Sequence, residues 1–258
     1  MLDPIDDDAH AMPAPSESRL LLQLSLLLWL LGLPGVWRMA WVVGQRLPGG
    51  MLPDWLLPAM GGLQSSLLLA AAVFFGAWVA PRVGLGAPLL TAWLTGQRLR
   101  PLLASLWLPG AGGGVLGAAW MVSLAQLVPD VLVPSDPLQT LPLWTQLLYG
   151  GISQELLLRW GMMSMLLFAL WRLLQPQGGA PRPWLVAVAV LLSALLFALS
   201  SLPPAVALLG TLTPQILCFV LLGNTVFGLL VGYIYWRYGL EAAIVTHMLA
   251  LAFSHGLT

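Results

Sequence analysis

Long uncharged stretches without a polar stripe dominate the chain. The 54 residues between Arg182 and Arg237 contain no Asp, Glu, Lys, Arg or His, whereas about 20 apolar residues are enough to cross the hydrocarbon core of a bilayer. A helix on the surface of a soluble protein would carry polar residues at helical period along one face. These stretches carry no such stripe, so the pattern predicts membrane-spanning helices.

Prolines and glycines separate these stretches from one another and mark the loops between spans. We predict seven spans, at residues 19–43, 57–80, 101–127, 141–171, 184–200, 214–236 and 239–257. The apolar piece 205–213 is too short to cross a membrane alone and is predicted to be re-entrant or interfacial. An eighth span stays open as an alternative. The predicted fold class is all-α, a polytopic transmembrane helical bundle of about seven spans.

The N-terminal residues differ in character from the rest of the chain. Residues 1–18 are acidic, contain three prolines and show no apolar period. Such a segment cannot bury enough apolar surface to order itself, which predicts a disordered tail. Residues 19–258 then form a single transmembrane helical domain.

The overall composition agrees with a membrane protein and excludes several other classes. Hydrophobic residues make up 59% of the chain and charged residues 8%, against about 25% charged in a typical soluble domain. Zero formal net charge and the lack of a basic cluster argue against nucleic-acid binding. The single cysteine, Cys218, permits no internal disulfide.

The arginines are distributed unequally between the two sets of predicted loops. Two of them, Arg38 and Arg46, lie near the end of span 1, and six lie in the links on the other side, at Arg82, Arg98, Arg100, Arg172, Arg182 and Arg237. Because the arginine-rich links of a membrane protein stay in the cytoplasm, the N-terminus is predicted to be inside. We expect an integral protein of a bacterial cytoplasmic membrane, with the C-terminus outside if there are seven spans.

Glu155 and Arg159 are predicted near the middle of span 4. An ionisable group at that depth costs several kcal/mol unless it is paired or faces a polar cavity. Their i, i+4 spacing places both on one helix face and favours a local ion pair. The pair is either a functional site or a clamp that fixes helix packing.

His247 lies in the last span, and His255 follows eight residues later. A histidine inside a membrane can be a packing residue, a proton carrier or a ligand. The sequence around His247 alone does not show which of these roles the residue has.

Three segments together resemble the motifs of a known family. Residues 150–161, GGISQELLLRWG, are similar to the Glu-Glu-x-x-x-Arg motif of the CAAX-prenyl-protease and bacteriocin-processing (CPBP, or Abi) membrane proteins. Residues 193–203 resemble the segment around the family's Phe-x-x-x-His motif, and residues 223–247 resemble the approach to its His-x-x-x-Asn/Asp motif. The resemblance covers residues 142–256.

The resemblance implies an intramembrane protease with a water-filled cavity inside a helical bundle. In the family the first glutamate of the pair activates water, and the histidines hold that water and the oxyanion; both metal-dependent and metal-free mechanisms are argued. Carried over to this chain, Glu155 would be the base or water-orienting carboxylate, Arg159 would fix it, and His247 would be the oxyanion donor. Phe197 matches the phenylalanine of the second motif.

The chain departs from the family at three catalytic positions. Gln154 replaces the first glutamate, and an amide cannot act as a general base. Ser201 stands where the family has histidine, and Leu251 where it has asparagine or aspartate. Half of the catalytic apparatus is therefore missing.

The remaining ligands do not favour zinc. A catalytic zinc site takes about three protein ligands, and the obvious set here is Glu155, His247 and His255. Eight residues of α-helix rise about 12 Å, which is too far for both histidines to bind one ion in an unbroken helix. No cofactor is assigned.

Two functions remain in competition, and a third is weaker. The chain is either an active endopeptidase acting on membrane-associated peptides or an inactive pseudoprotease that binds another membrane protein or a lipidated peptide. A transporter or channel needs polar groups along several helices or a repeat, and only one polar cluster is present. If Glu155 and His247 lie farther apart than about 8 Å, shared acid–base catalysis becomes implausible.

Overall fold

The computed structural model describes residues 17–46, 53–127, 141–203, 206 and 213–255. The regular elements in this part of the chain are helices, which confirms the predicted all-α class. We label them in chain order as α1 Glu17–Gly44, α2 Leu56–Val79, α3 Pro88–Leu94, α4 Arg100–Leu127, α5 Leu143–Leu174, α6 Pro183–Ser200, α7 Pro214–Tyr238 and α8 Leu240–His255.

Six of these helices, counted over the described residues, are long and apolar enough to cross a membrane. They are α1, α2 with the 3-10 turn Ala80–Val83 that extends it, α4, α5, α6 and α7, while α8 is apolar but has 16 residues. Each predicted span corresponds to one helix with nearby ends. Of the predicted tail, only Glu17 and Ser18 are described, and both belong to α1. The predicted segment 205–213 lies outside the described residues except for positions 206 and 213.

Close packing of α1 on α2 and of α4 on α8 depends on small residues. The indole of Trp29 in α1 donates to the Ser66 carbonyl oxygen of α2 at 3.0 Å. Thr246 of α8 donates to the Gly110 carbonyl oxygen of α4 at 3.1 Å, and a side chain at Gly113 would collide with Thr246. Without a hydrophobic force between helices in lipid, such close approaches and interhelical hydrogen bonds hold the bundle together.

The structure of α5 differs from the regular α-helix predicted for this span. Leu147–Gln154 and Leu156–Met163 form π-helical turns on either side of Glu155. The Ser164 hydroxyl donates to the Arg159 carbonyl oxygen five residues earlier, and the Ser153 hydroxyl lies 3.1 Å from the Leu148 carbonyl oxygen, also five residues earlier. Extended π-helical structure is rare and often occurs at functional sites.

Helix α3 lies in the link after α2 and was not predicted. The helix begins at Pro88, and proline is a favoured first residue of a helix. The N-cap residue, Ala87, has no polar side chain that could accept a hydrogen bond from the first turn. The carboxylate of Glu241, at the start of α8, accepts the Leu90 N–H at 2.9 Å and supplies the missing cap. The N–H of Leu240 in turn donates to the Gly86 carbonyl oxygen at 3.0 Å.

These contacts bring several helix ends together. The end of α2, helix α3, the start of α4 and the end of α7 surround one cavity, and the last part of α5 packs against the 3-10 turn after α2. We call this the arginine end of the bundle, because its helix ends and links carry Arg82, Arg98, Arg100, Arg172, Arg182 and Arg237. The ends of α1 and α6 and the start of α2 lie at the opposite end.

Candidate active site

Glu155, Arg159 and His247 meet in the interior of the bundle. The Nδ1 atom of His247 lies 2.7 Å from Oε1 of Glu155, and Nε of Arg159 lies 3.4 Å from Oε2 of the same carboxylate. The side chains of Glu155 and Arg159 are fully buried, and that of His247 is 3% exposed. The separation that would have made shared catalysis implausible is therefore not observed.

Arg159 is also held by two other helices. Its guanidinium lies 4.8 Å from the ring centre of Phe197 in α6, within the range of a cation–π interaction. Its Nη2 donates to the carbonyl oxygen of Gly228 in α7 at 3.3 Å. These contacts reduce the cost of burying a guanidinium, which is high in a membrane interior.

The His247 ring is fixed in orientation by two aromatic rings. Phe227 approaches it edge-on at 4.8 Å between ring centres, and Phe197 does so at 6.0 Å. Because Nδ1 is engaged by Glu155, Nε2 is the ring nitrogen left to bind a further group. If Nδ1 donates its proton to the carboxylate, Nε2 is an acceptor.

Two of the degenerate motif positions surround Gly150 together with His247 Nε2. A Cβ at Gly150 would lie 3.1 Å from Cδ1 of Leu251, 3.4 Å from His247 Nε2 and 3.5 Å from Oε1 of Gln154. The absence of a side chain at Gly150 therefore leaves room beside Nε2. The third position, Ser201, lies at the end of α6, where its hydroxyl donates to the Phe197 carbonyl oxygen at 3.1 Å.

A cavity of about 360 Å³ lies near this site, at the end of the bundle opposite the arginine end. Its walls come from the end of α1 and the start of α2, and they include Ser65, Tyr149 and Pro203. The Tyr149 hydroxyl interacts with the Gln154 side chain, which links the cavity wall to the polar site. Glu155 and His247 do not line the cavity.

Sequence reasoning overlooked several of these residues. Tyr149 precedes the first motif directly, and a tyrosine among apolar residues was a signal that could have drawn attention to it. Phe227 and the Gly228 carbonyl oxygen gave no signal, because an aromatic ring and a glycine are ordinary residues in an apolar helix. Only the folded chain places them beside His247 and Arg159.

The side chains present do not fit a catalytic metal. Within the described residues, no group of three or more His, Cys, Asp or Glu side chains could hold an ion. Glu155 and His247 supply two ligands, whereas a catalytic zinc takes about three. The chemistry of the site is therefore derived from its side chains.

Comparison with known proteins agrees with this picture. Residues 136–253 match the family model of the Rce1-like proteins, described as type II CAAX prenyl endopeptidase Rce1-like. The matched region extends from before α5 into α8 and contains Glu155, Arg159, His247 and the three degenerate positions. Neither the curated proteins nor the solved structures give a match. Residues 136–253 are thus similar to the Rce1-like type II CAAX prenyl endopeptidase domain, which confirms the resemblance to the CPBP family.

Proposed function

We propose that the protein is a membrane-embedded endopeptidase of the CAAX-protease type in which Glu155 and His247 act as one acid–base unit. The family domain supports a CAAX-protease-like function in general. The observation that carries the specific proposal is the 2.7 Å contact between His247 Nδ1 and Glu155 Oε1. A carboxylate bound to one ring nitrogen sets the tautomer and leaves the other nitrogen to accept a proton.

The geometry favours roles that differ from those expected from the resemblance. Both oxygens of Glu155 face a cation or a ring nitrogen, since Oε1 contacts His247 and Oε2 faces Arg159. His247 Nε2 is then the atom that takes the proton of a water, and the resulting hydroxide attacks the peptide carbonyl. The tetrahedral intermediate collapses when the imidazolium returns the proton to the leaving amine. The Arg159 guanidinium lies beside Glu155 Oε2 and balances the charge of the carboxylate.

Donors for the oxyanion come from the neighbouring residues. The Gln154 amide places its Oε1 in the space beside Gly150 that it shares with His247 Nε2, and the Tyr149 hydroxyl interacts with that amide. An amide donates only through its NH2 group, so in this proposal the Gln154 amide turns by about 180° to face the oxyanion. Both groups can donate a hydrogen bond to a developing negative charge. In this proposal Gln154 stabilises the oxyanion and the base function passes to His247.

A pseudoprotease is the second candidate, and one observation favours it. Glu155 and Arg159 are fully buried, and neither lines the cavity that Tyr149 borders. In this alternative the ion pair only fixes helix packing, and the bundle serves as a binding or scaffold protein for a membrane protein or a lipidated peptide.

Cleavage of co-expressed membrane-associated peptides by single variants separates the two candidates. We expect His247→Asn and Glu155→Gln to lower the cleavage rate at least 100-fold, in the range of general acid–base contributions. His255→Asn is the matched control, because it removes the exposed histidine of the same helix and should keep full activity. Size-exclusion profiles in detergent verify that each variant is folded.

Two results would overturn the protease proposal. One is cleavage by His247→Asn at the wild-type rate, and the other is a wild-type protein that cuts none of the peptides tested. In the second case a triple variant, Gln154→Glu with Ser201→His and Leu251→Asn, restores the family motifs. Gain of cleavage by this variant would support the pseudoprotease.

A further inference from the structure

A second cavity lies at the arginine end of the bundle, away from the Glu155–His247 site. It has a volume of about 720 Å³, within the range of about 300–1,000 Å³ that small-molecule sites occupy. Its walls are the end of α2, the link with α3, the start of α4 and the end of α7. The cavity therefore lies where several helices of the bundle begin or end.

The lining combines a cation with apolar surface. Arg237 contributes the charge, and its guanidinium lies 5.5 Å from the centre of the Trp236 ring. Leucines from the link and from α4 supply apolar walls, and polar side chains at Thr91, Gln97 and Ser105 accompany them. Among the described residues that line the cavity none is acidic. The nearby carboxylate of Glu241 is directed to the Leu90 N–H of α3.

The chain leaves this space free of side chains at two glycines. A Cβ at Gly84 or Gly86 would have no neighbour within 4 Å. Gly84 needs its left-handed backbone, with φ of 75°, but Gly86 does not. Tyr235 also lines the cavity, and its hydroxyl is taken by Ser164 at 2.9 Å, so its polar group does not compete for a ligand.

We propose that this cavity binds an anionic phospholipid through its phosphate headgroup. A positively charged pocket between transmembrane helices on the arginine-rich side has the chemistry that recognises such headgroups. Arg237 pairs with the phosphate, Thr91 and Gln97 offer hydrogen bonds, and the apolar walls accept the first part of an acyl chain. The Ser105 hydroxyl donates to the Leu102 carbonyl oxygen at 2.9 Å. The proposal does not depend on proteolytic activity.

Lipid retention by the purified full-length protein tests the site. The protein is transferred to neutral phosphatidylcholine, phosphatidylglycerol is titrated in, and bound lipid is counted by native mass spectrometry. We expect one phosphatidylglycerol to be retained per chain, with binding weakened about fivefold by Arg237→Gln, since one arginine near the membrane surface contributes about that factor. Gly86→Leu should abolish retention by filling the cavity.

Gly112→Leu is the matched control for the filling variant. Gly112 is also free of neighbours within 4 Å, but it lies in α4 outside the cavity lining. It should retain lipid as the wild type does. Equal retention by Gly86→Leu and wild type would overturn the proposal, and so would equal retention of phosphatidylcholine. If soluble glycerol phosphate displaced all of the bound phosphatidylglycerol, the site would recognise the free phosphate group rather than the lipid, and the proposal of a lipid site would be wrong.

Discussion

At the scale of single residues, the buried charges are compensated by contacts from three other helices. Glu155 divides its two oxygens between His247 of α8 and Arg159 of its own helix. Arg159 adds the ring of Phe197 from α6 and the carbonyl oxygen of Gly228 from α7. Each charge is therefore stabilised by groups that the fold must bring together, so the cluster couples four helices to one another.

Removal of one charge of the Glu155–Arg159 pair should lower the free energy of unfolding more than removal of both charges. Glu155→Gln leaves the Arg159 guanidinium buried without its anion, which should lower the free energy of unfolding by about 3–5 kcal/mol. Arg159→Met in the same chain removes the uncompensated cation, and the double variant should be less destabilised than the sum of the single variants by about 1–3 kcal/mol. Denaturant unfolding of all four proteins in detergent micelles gives the coupling energy. Strict additivity would show that the two side chains are energetically independent.

At the scale of the elements, α1 holds the π-helical part of α5 at close range. The hydroxyl of Ser153 donates to the Gly32 carbonyl oxygen of α1 at 2.7 Å. A Cβ at Gly35 would collide with the Leu148 carbonyl oxygen and with Ser153 Oγ. The helix that carries Glu155 can therefore lie where it does only because α1 offers a glycine at this position.

Gly35→Ala should accordingly destabilise the bundle. Its new methyl group meets the Leu148 backbone, which cannot move aside as a flexible side chain could, and overpacking of this kind costs about 1–3 kcal/mol. Gly112→Ala is the control, because its methyl group meets open space and alanine is a better helix former than glycine. Thermal unfolding in detergent should show a lower midpoint for Gly35→Ala and an unchanged or higher one for Gly112→Ala. Equal midpoints would contradict the close contact.

Helices could be predicted from the sequence wherever the length of an uncharged apolar run determined their position. Uncharged runs about as long as the bilayer core located α1, α2, α4, α6 and α7, whereas the span α5 is apolar around the charged pair Glu155 and Arg159. Helix α3 could not be found in this way, since its cap, Glu241, lies 151 residues from Leu90 along the chain. The π-helical turns depend on how α5 packs against its neighbours, which no local pattern records.

The candidate site was predictable only in part, for a related reason. Scarcity of charge in a membrane singled out Glu155 and Arg159, and the position of His247 in the last span singled out that residue. The family resemblance gave His247 a role and added the three degenerate positions. The proximity of Glu155 and His247 was an open question, because 92 residues separate them in sequence. The aromatic rings around His247 and the cavity beside Tyr149 arise from tertiary packing of ordinary apolar residues.

At the scale of the whole molecule, the two ends of the bundle differ in charge. The arginine end carries six arginines in the links and helix ends after α2, α5 and α7, in addition to Arg19 at the start of α1, whereas Arg38 and Arg46 are near the opposite end. Arg38 donates to the Thr145 hydroxyl at 3.3 Å and stacks on the Trp144 ring, at the start of α5. In the described part of the chain a cavity lies at each of the two ends, and the Glu155–His247 pair lies in the interior.

This asymmetry predicts the orientation of the protein in the membrane. Arginine-rich ends stay in the cytoplasm, so the link between α5 and α6 should be inside and the segment before α2 outside. Gln177 and Asp54 are exposed at these two places. Because Cys218 is the only cysteine and is itself exposed, Cys218→Ser gives a thiol-free background.

Two single-cysteine variants in that background then report the orientation. With a membrane-impermeant maleimide added to intact bacterial cells, Asp54→Cys should be labelled at once, and Gln177→Cys only after the membrane is permeabilised. Each variant serves as the control for the other, since both positions are exposed between helices. The reversed pattern would place the N-terminus of α1 outside. It would also show that the few charges near Arg38 and Arg46 outweigh the six arginines of the other end.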